Sequence, residues 1–248
     1  MEVVYERIAA IDIGKRQSVV YVRTPSVEAT RSFGMMTADL LALSDWLQEC
    51  QVEQVAMEST GIYWKPIYNL LEGDGLELWL VNARDFRAVP GRKTDVQDCR
   101  WLGDLMRHGL LRRSFVPPKA QRELRELVRY RRSLIEERAR EFNRLEKVLE
   151  GANIKLGAVA STLTGKSVRL MLKAMVSGER DPEVLADLAK GRLRNKHQEL
   201  VQALRGLMDS HQRFMLQEQL GHLTDLDERI TRLDEEIEAR LRPFEADL

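Results

Sequence analysis

The chain has 248 residues with 39 basic and 39 acidic side chains, so its formal net charge is zero and bulk attraction to nucleic acid or an acidic membrane is excluded. Hydrophobic residues at 44% exclude a disordered chain, and two cysteines, Cys50 and Cys99, exclude a disulfide framework and suit a reducing cytosol. No apolar run approaches the ~18 residues of a membrane helix and no basic-then-apolar signal segment follows Met1, so a soluble, cytoplasmic protein with no membrane partner is expected.

In chain order, Arg7 to Ile13 reads R-I-A-A-I-D-I, a buried strand with Asp12 at its end and Gly14 at the following turn. Ser18 to Arg23 is a β-branched run that suits a second strand, and Glu28 to Phe33 a third. Thr37 to Glu49 is helical, with Leu40, Leu41, Leu43, Trp46 and Leu47 on one wide apolar face. Gln54 to Met57 is a short strand ending at Glu58. Trp64 to Leu71 is a helix that tolerates Pro66 in its first turn, and Leu76 to Val81 is a fifth strand. This order predicts an α/β sheet, mixed because the first three strands can pair as hairpins.

After Asn82 the strand signals largely stop. Helices are expected over Asp95 to Arg107 and, beyond Pro117 and Pro118, over Lys119 to Glu150, with short helices to residue 195 and a second long helix from Lys196. Leu223, Leu226, Ile230, Leu233, Ile237 and Leu241 recur at steps of three and four, the spacing of a coiled-coil seam or of a long bundle helix. The expected division is an α/β domain over 1–115 and a helical, coiled-coil domain over 116–248.

Charge is uneven along the chain. Between Arg84 and Arg144 there are 17 basic against 9 acidic residues, and between Glu218 and Leu248 there are 4 against 10. The basic stretch includes Arg92, Lys93 and the group Arg129, Arg131 and Arg132, which are candidate phosphate contacts; a solvated helix face is the plainer reading.

Four carboxylates stand where chemistry would place them. Asp12 and Glu58 end strands, while Asp95 and Asp98 share one face at a helix start. Cleaving a phosphodiester requires charge neutralisation at the attacking and leaving oxygens, which two divalent ions ~4 Å apart supply. Four oxygen ligands without a nearby His or Cys pair suit Mg2+ or Mn2+, not Zn2+. Each alone has a plainer explanation: a turn residue for Asp12 and Glu58, a helix cap or first-turn acid for Asp95 and Asp98.

The segments A-I-D-I-G-K (Ala10 to Lys15), A-M-E-S-T-G-I-Y-W (Ala56 to Trp64), V-N-A-R (Val81 to Arg84) and G-R-K-T-D-V-Q-D (Gly91 to Asp98) carry a resemblance. Together with the arginine-rich helix, they resemble the DEDD transposases of insertion sequence one-ten type, which include Piv-like invertases and bridge-RNA-guided recombinases. The resemblance implies a RuvC-like, ribonuclease H type mixed sheet followed by a coiled-coil region that supports assembly into a homo-oligomer. It maps the catalytic, metal-binding quartet onto Asp12, Glu58, Asp95 and Asp98, and implies DNA as substrate, with a guide RNA as a further partner. The family's second domain carries a catalytic Ser and opens with P-G-[IV]-G. That segment does not occur before Leu248, and no serine here stands in the family's context. The expectation is that the serine-bearing domain lies outside this sequence.

Two other functions compete. Asp12-Ile13-Gly14-Lys15 resembles the first phosphate turn of actin-like ATPases, but no second Asp-x-Gly turn or glycine-rich adenosine loop follows. A non-catalytic scaffold that dimerises and holds nucleic acid is the other. Tyr63 and Trp64 suit either base stacking or helix-to-sheet packing. Thr164-Gly165-Lys166-Ser167 resembles the tail of a phosphate-binding loop, but Ala160 stands where a glycine is needed and no strand leads in, so a P-loop is rejected.

Overall fold

The computed structural model describes residues 2–59, 61–82 and 95–247. The chain divides into two compact units, residues 1–117 and 118–248. No helix among the described residues is long and apolar enough to cross a membrane.

The first unit is built on five strands: β1 (Ile8–Ile13), β2 (Gln17–Arg23), β3 (Glu28–Gly34), β4 (Gln54–Glu58) and β5 (Glu77–Val81). Their spatial order is β3-β2-β1-β4-β5. The hairpin-linked strands β1, β2 and β3 pair antiparallel, whereas β4 and β5 join in parallel through helical crossovers. The mixed sheet expected from the element order is therefore observed.

Strand pleating sends alternate residues to opposite faces. Ala9, Ile11, Ile13, Val55 and Met57 pack beneath α1 (Thr37–Glu49) and α2 (Trp64–Leu71). Ile8, Ala10, Val19, Tyr21, Ala56 and Val81 pack against α3 (Asp95–Arg107) through Cys99, Leu102 and Met106. Both faces of β1 and β4 are covered, which is why their sequences read as continuous apolar runs rather than alternating ones. Tyr63 and Trp64 pack on the α1–α2 core, and Trp64 meets Tyr68 edge-on at 5.5 Å.

The second unit is helical: α4 (Lys119–Gly151), α5 (Leu156–Val159), α6 (Lys166–Val176), α7 (Pro182–Asp187), a 3-10 turn (Gly191–Lys196), α8 (His197–Leu204), α9 (Ser210–Leu241) and a last 3-10 turn (Arg242–Asp247). The second long helix does not begin at Lys196 as the sequence suggested; α8 and α9 are separate. At Gly206 a Cβ would lie 2.3 Å from the Ile154 side chain and 2.6 Å from the Ala152 carbonyl oxygen, so only glycine fits the approach. Asp209 then starts α9 afresh, accepting the Gln212 amide at 2.9 Å while Gln212 returns a side-chain bond, a reciprocal cap.

Helices α4 and α9 pack antiparallel. Arg240 meets Glu123, Arg131 meets Asp234, Arg138 meets Asp227, and Glu137 meets His222, so positions that rise along α4 fall along α9. Leu134, Leu226 and Ile230 are buried between them, with Ile135 and Leu233 alongside. The seam read from the heptad spacing is thus closed within the chain over this stretch. Further along, packing thins: Ile237 is half-buried and Leu241 exposed. The main core of the unit gathers the other end of the pair, through Phe142, Leu145, Leu149, Leu216 and Leu223, onto α6 and α8.

Candidate active site

The site is placed by strand register. The last paired residues of β1 and β4 are Ile11 and Met57. One step further stand Asp12 and Glu58, on parallel neighbours that run ~4.8 Å apart. Asp12 also faces Val19 of β2, and Glu58 faces Val81 of β5. Two positions back on the same pleat, Ala10 and Ala56 belong to the face covered by α3. Alternation therefore puts both carboxylates on that face, at the carboxyl-terminal edge of the sheet. Glu58 is only 7% exposed, whereas Asp12 is half-buried.

Helix α3 is held close over this edge. At Gly103, a Cβ would fall 2.6 Å from the Tyr21 ring and 3.3 Å from Ile8, so the missing side chain sets the helix-to-sheet distance. Cys99 is fully buried, with its Sγ 3.0 Å from the Ala10 carbonyl oxygen and 3.2 Å from that of Val19. The thiol can donate to either carbonyl, and these flank Asp12 in sequence and in register. Burial pushes the Cys99 thiol up to about 12, with the negative charge of Asp12 adding to the rise while backbone hydrogen bonds oppose it. At neutral pH the sulfur stays protonated, so it positions the helix rather than serving as a thiolate ligand. The sequence marks Cys99 only as one of two cysteines too few for a disulfide framework; a small, weakly polar residue next to Asp98 is the signal for its place under the helix.

Asp98 is exposed and adjoins the anchored Cys99. Asp95 opens α3, and its side chain lies outside the described residues, as do Arg92 and Lys93 altogether. Among the described residues no three His, Cys, Asp or Glu side chains form a group that could hold a metal. The structure thus brings Asp12 and Glu58 together on one face beneath the helix that carries Asp98. Hard oxygen donors with the neighbouring sulfur protonated fit a magnesium-type ion and not zinc.

The arginine group lies on α4. Arg129 and Arg132 are exposed, and Arg132 pairs with Glu136 at 3.1 Å on its own helix. Arg131 is half-buried and engaged by Asp234 of α9. Part of the basic surplus of α4 is therefore matched by the acidic surplus of α9, a pairing between two stretches that the sequence had shown only as separate imbalances.

A transposase family model, DEDD_Tnp_IS110, matches residues 9–154, from β1 through the end of α4. No curated protein matches the sequence. Eight chains of solved structure are similar to it. One is RuvC of T. thermophilus in complex with a Holliday junction substrate, at 10% identity and a TM-score of 0.34, covering 44% of this chain and 100% of that one.

Proposed function

We propose that this chain, which belongs to the DEDD transposase family of the IS110 type, uses the Asp12–Glu58 edge as the divalent-metal site of a DNA recombinase. The observation that carries the reading is the placement of two carboxylates in consecutive register on parallel neighbours, on the face that α3 covers. Asp12, Glu58 and Asp98, with Asp95 as the fourth member, would hold Mg2+ or Mn2+. Such an ion supplies charge neutralisation at the attacking and leaving oxygens of a phosphodiester. The chain's own part is positional: β1 and β4 fix two carboxylates on a rigid sheet, and Cys99 and Gly103 seat the helix that brings the others.

DNA is the substrate in this reading, cut and rejoined during transposition, with a guide RNA as a second nucleic-acid partner. Arg92, Lys93, Arg129 and Arg132 are proposed to contact phosphates; Arg131 is assigned first to its pair with Asp234. The nucleophilic serine of the family is assigned to no residue of this chain. Self-association is proposed through surfaces other than the stretch from Leu226 to Ile230, which is covered by α4.

Calorimetric titration of Mg2+ into the wild type and into Asp12→Ala, Glu58→Gln and Asp98→Ala tests the reading. Binding to the wild type with loss in the Asp12 and Glu58 variants is the expected result. Equal affinity in all four proteins would overturn it.

A further inference from the structure

Away from the carboxylate edge, the helical unit holds a cavity of about 400 Å3 where the start of α6 meets the turn before α8. Lys166, Lys190, Arg192 and Lys196 line it, with Ser161 and Thr162, and no carboxylate is among its lining residues. Four cations around one cavity, in a chain whose total charge is zero, is a strong local imbalance. None of the four is ion-paired among the described residues, in contrast to Arg131, Arg138 and Arg240 of the helix pair.

The cluster is held in place by the fold. Ser167, 8% exposed, accepts the Lys190 backbone amide at 2.9 Å and ties the Lys190 segment to the first turn of α6. Lys196 donates to the Val159 carbonyl at 3.2 Å and ties the far end of the 3-10 turn to the end of α5. The sequence K-G-R-L-R-N-K from Lys190 to Lys196 thus becomes an arc of cations around the cavity. Helix α6 begins after Gly165 with no side-chain cap, so its positive end adds to the same field. This is the T-G-K-S segment that lacks the upstream glycine and the strand of a nucleotide-binding loop. Here its lysine works with three cations from elsewhere.

We infer that this cavity binds a phosphate group of a polynucleotide strand, as an anchoring site separate from the carboxylate edge. Cations from α6 and from the arc converge on it, an arrangement that suits the anionic oxygens of backbone phosphates. The inference rests on the nucleic-acid reading of the chain, but on other residues, so its test can fail while the metal site stands.

The test uses the full chain with a short fluorescent DNA strand, and the same strand as RNA, followed by anisotropy across a salt series. A Lys166→Ala/Lys190→Ala/Arg192→Ala variant is expected to bind about tenfold more weakly, the loss of about one charge-assisted hydrogen bond. Its log–log salt slope should flatten by about 0.7 for each phosphate that is no longer neutralised. All three side chains are exposed, so an unchanged melting temperature is expected, and the Mg2+ titration should be unaltered. Arg192→Lys should bind as the wild type does. Inorganic phosphate is titrated in parallel: if it binds to the wild type and not the variant while strand binding is unchanged, the cavity takes a free phosphate and the strand assignment is overturned. If neither strand nor phosphate binding changes, the cations are only a solvated surface.

Discussion

On the sheet, Asp12 and Glu58 place like charges on adjacent strands, one of them almost fully buried. Across α4 and α9 the charged groups do the opposite, since Arg131, Arg138 and Arg240 each meet a carboxylate. The second arrangement is what folding alone favours: long charged side chains cover a narrow apolar seam and fix its register. The first draws no such pairing from its neighbour, because two like charges side by side do not attract. Two carboxylates side by side at the end of parallel strands are what a divalent-metal site would use, and that is the ground for proposing one at this edge.

The contrast breaks most sharply at Asp12. Asp12→Ala is expected to lower Mg2+ affinity by about 100-fold or more, beyond the effect of removing a residue that only supports a ligand. The same change should leave the protein folded in chelator with little loss of thermal stability, because a half-buried carboxylate at a strand end adds little to the core. If melting in chelator falls steeply instead, Asp12 is a structural group and the contrast between the two units fails.

Next is the seam. Ile230 is 6% exposed and packs with Leu134 and Leu226. Ile230→Asp loses that apolar burial and sets a charge in the seam, an expected cost of about 3 kcal/mol by chemical denaturation. The molar mass by light scattering should not change, since the partner of Ile230 lies in the same chain. A variant of halved mass would show the seam closing between subunits in solution.

Gly103 links stability to metal binding within the first unit. Gly103→Val would drive a side chain into the Tyr21 ring and cost about 1–3 kcal/mol through overpacking. If α3 positions Asp98 over the sheet edge, Mg2+ affinity must drop too, in protein that remains folded by circular dichroism. Lost stability with intact metal affinity would detach Asp98 from the site.

Much of the fold and half of the candidate site are legible in the sequence. The apolar runs of β1 and β4 are long and continuous because both faces of the sheet are covered, so Asp12 and Glu58 stand out as polar residues ending them. That both point to one face follows from a register that no single strand contains. The break between α8 and α9 is hidden because Gly206 is required by the approach of Ile154 and Ala152, some fifty residues away. The pairing of Arg131 with Asp234 spans a larger gap: composition shows two opposite imbalances, and only antiparallel packing makes them complementary. The cation arc escapes a sequence reading because its members are scattered between Lys166 and Lys196 and share no helical face.

The smallest effect expected concerns Asp227 in the helical unit. Its carboxylate accepts from Arg138 of α4 at 2.9 Å and from Arg169 of α6, so it ties three helices. Burial alone would raise its pKa, but the two guanidinium hydrogen bonds outweigh burial and hold the carboxyl below its ordinary value. A depressed folded pKa contributes stability that is complete above the unfolded value, about 3.9, and is lost as pH falls through the lower folded value. Charge-assisted bonds of this kind contribute ~2 kcal/mol when shielded; here the three side chains are only partly buried, so about 1 kcal/mol or less is expected. Asp227→Asn should therefore melt below the wild type at pH 7, and the gap should close as the pH is lowered below about 4. A gap that persists unchanged at pH 2 would mean that Asp227 acts through shape and neutral hydrogen bonds, and that charge pairing is not what holds α4, α6 and α9 together.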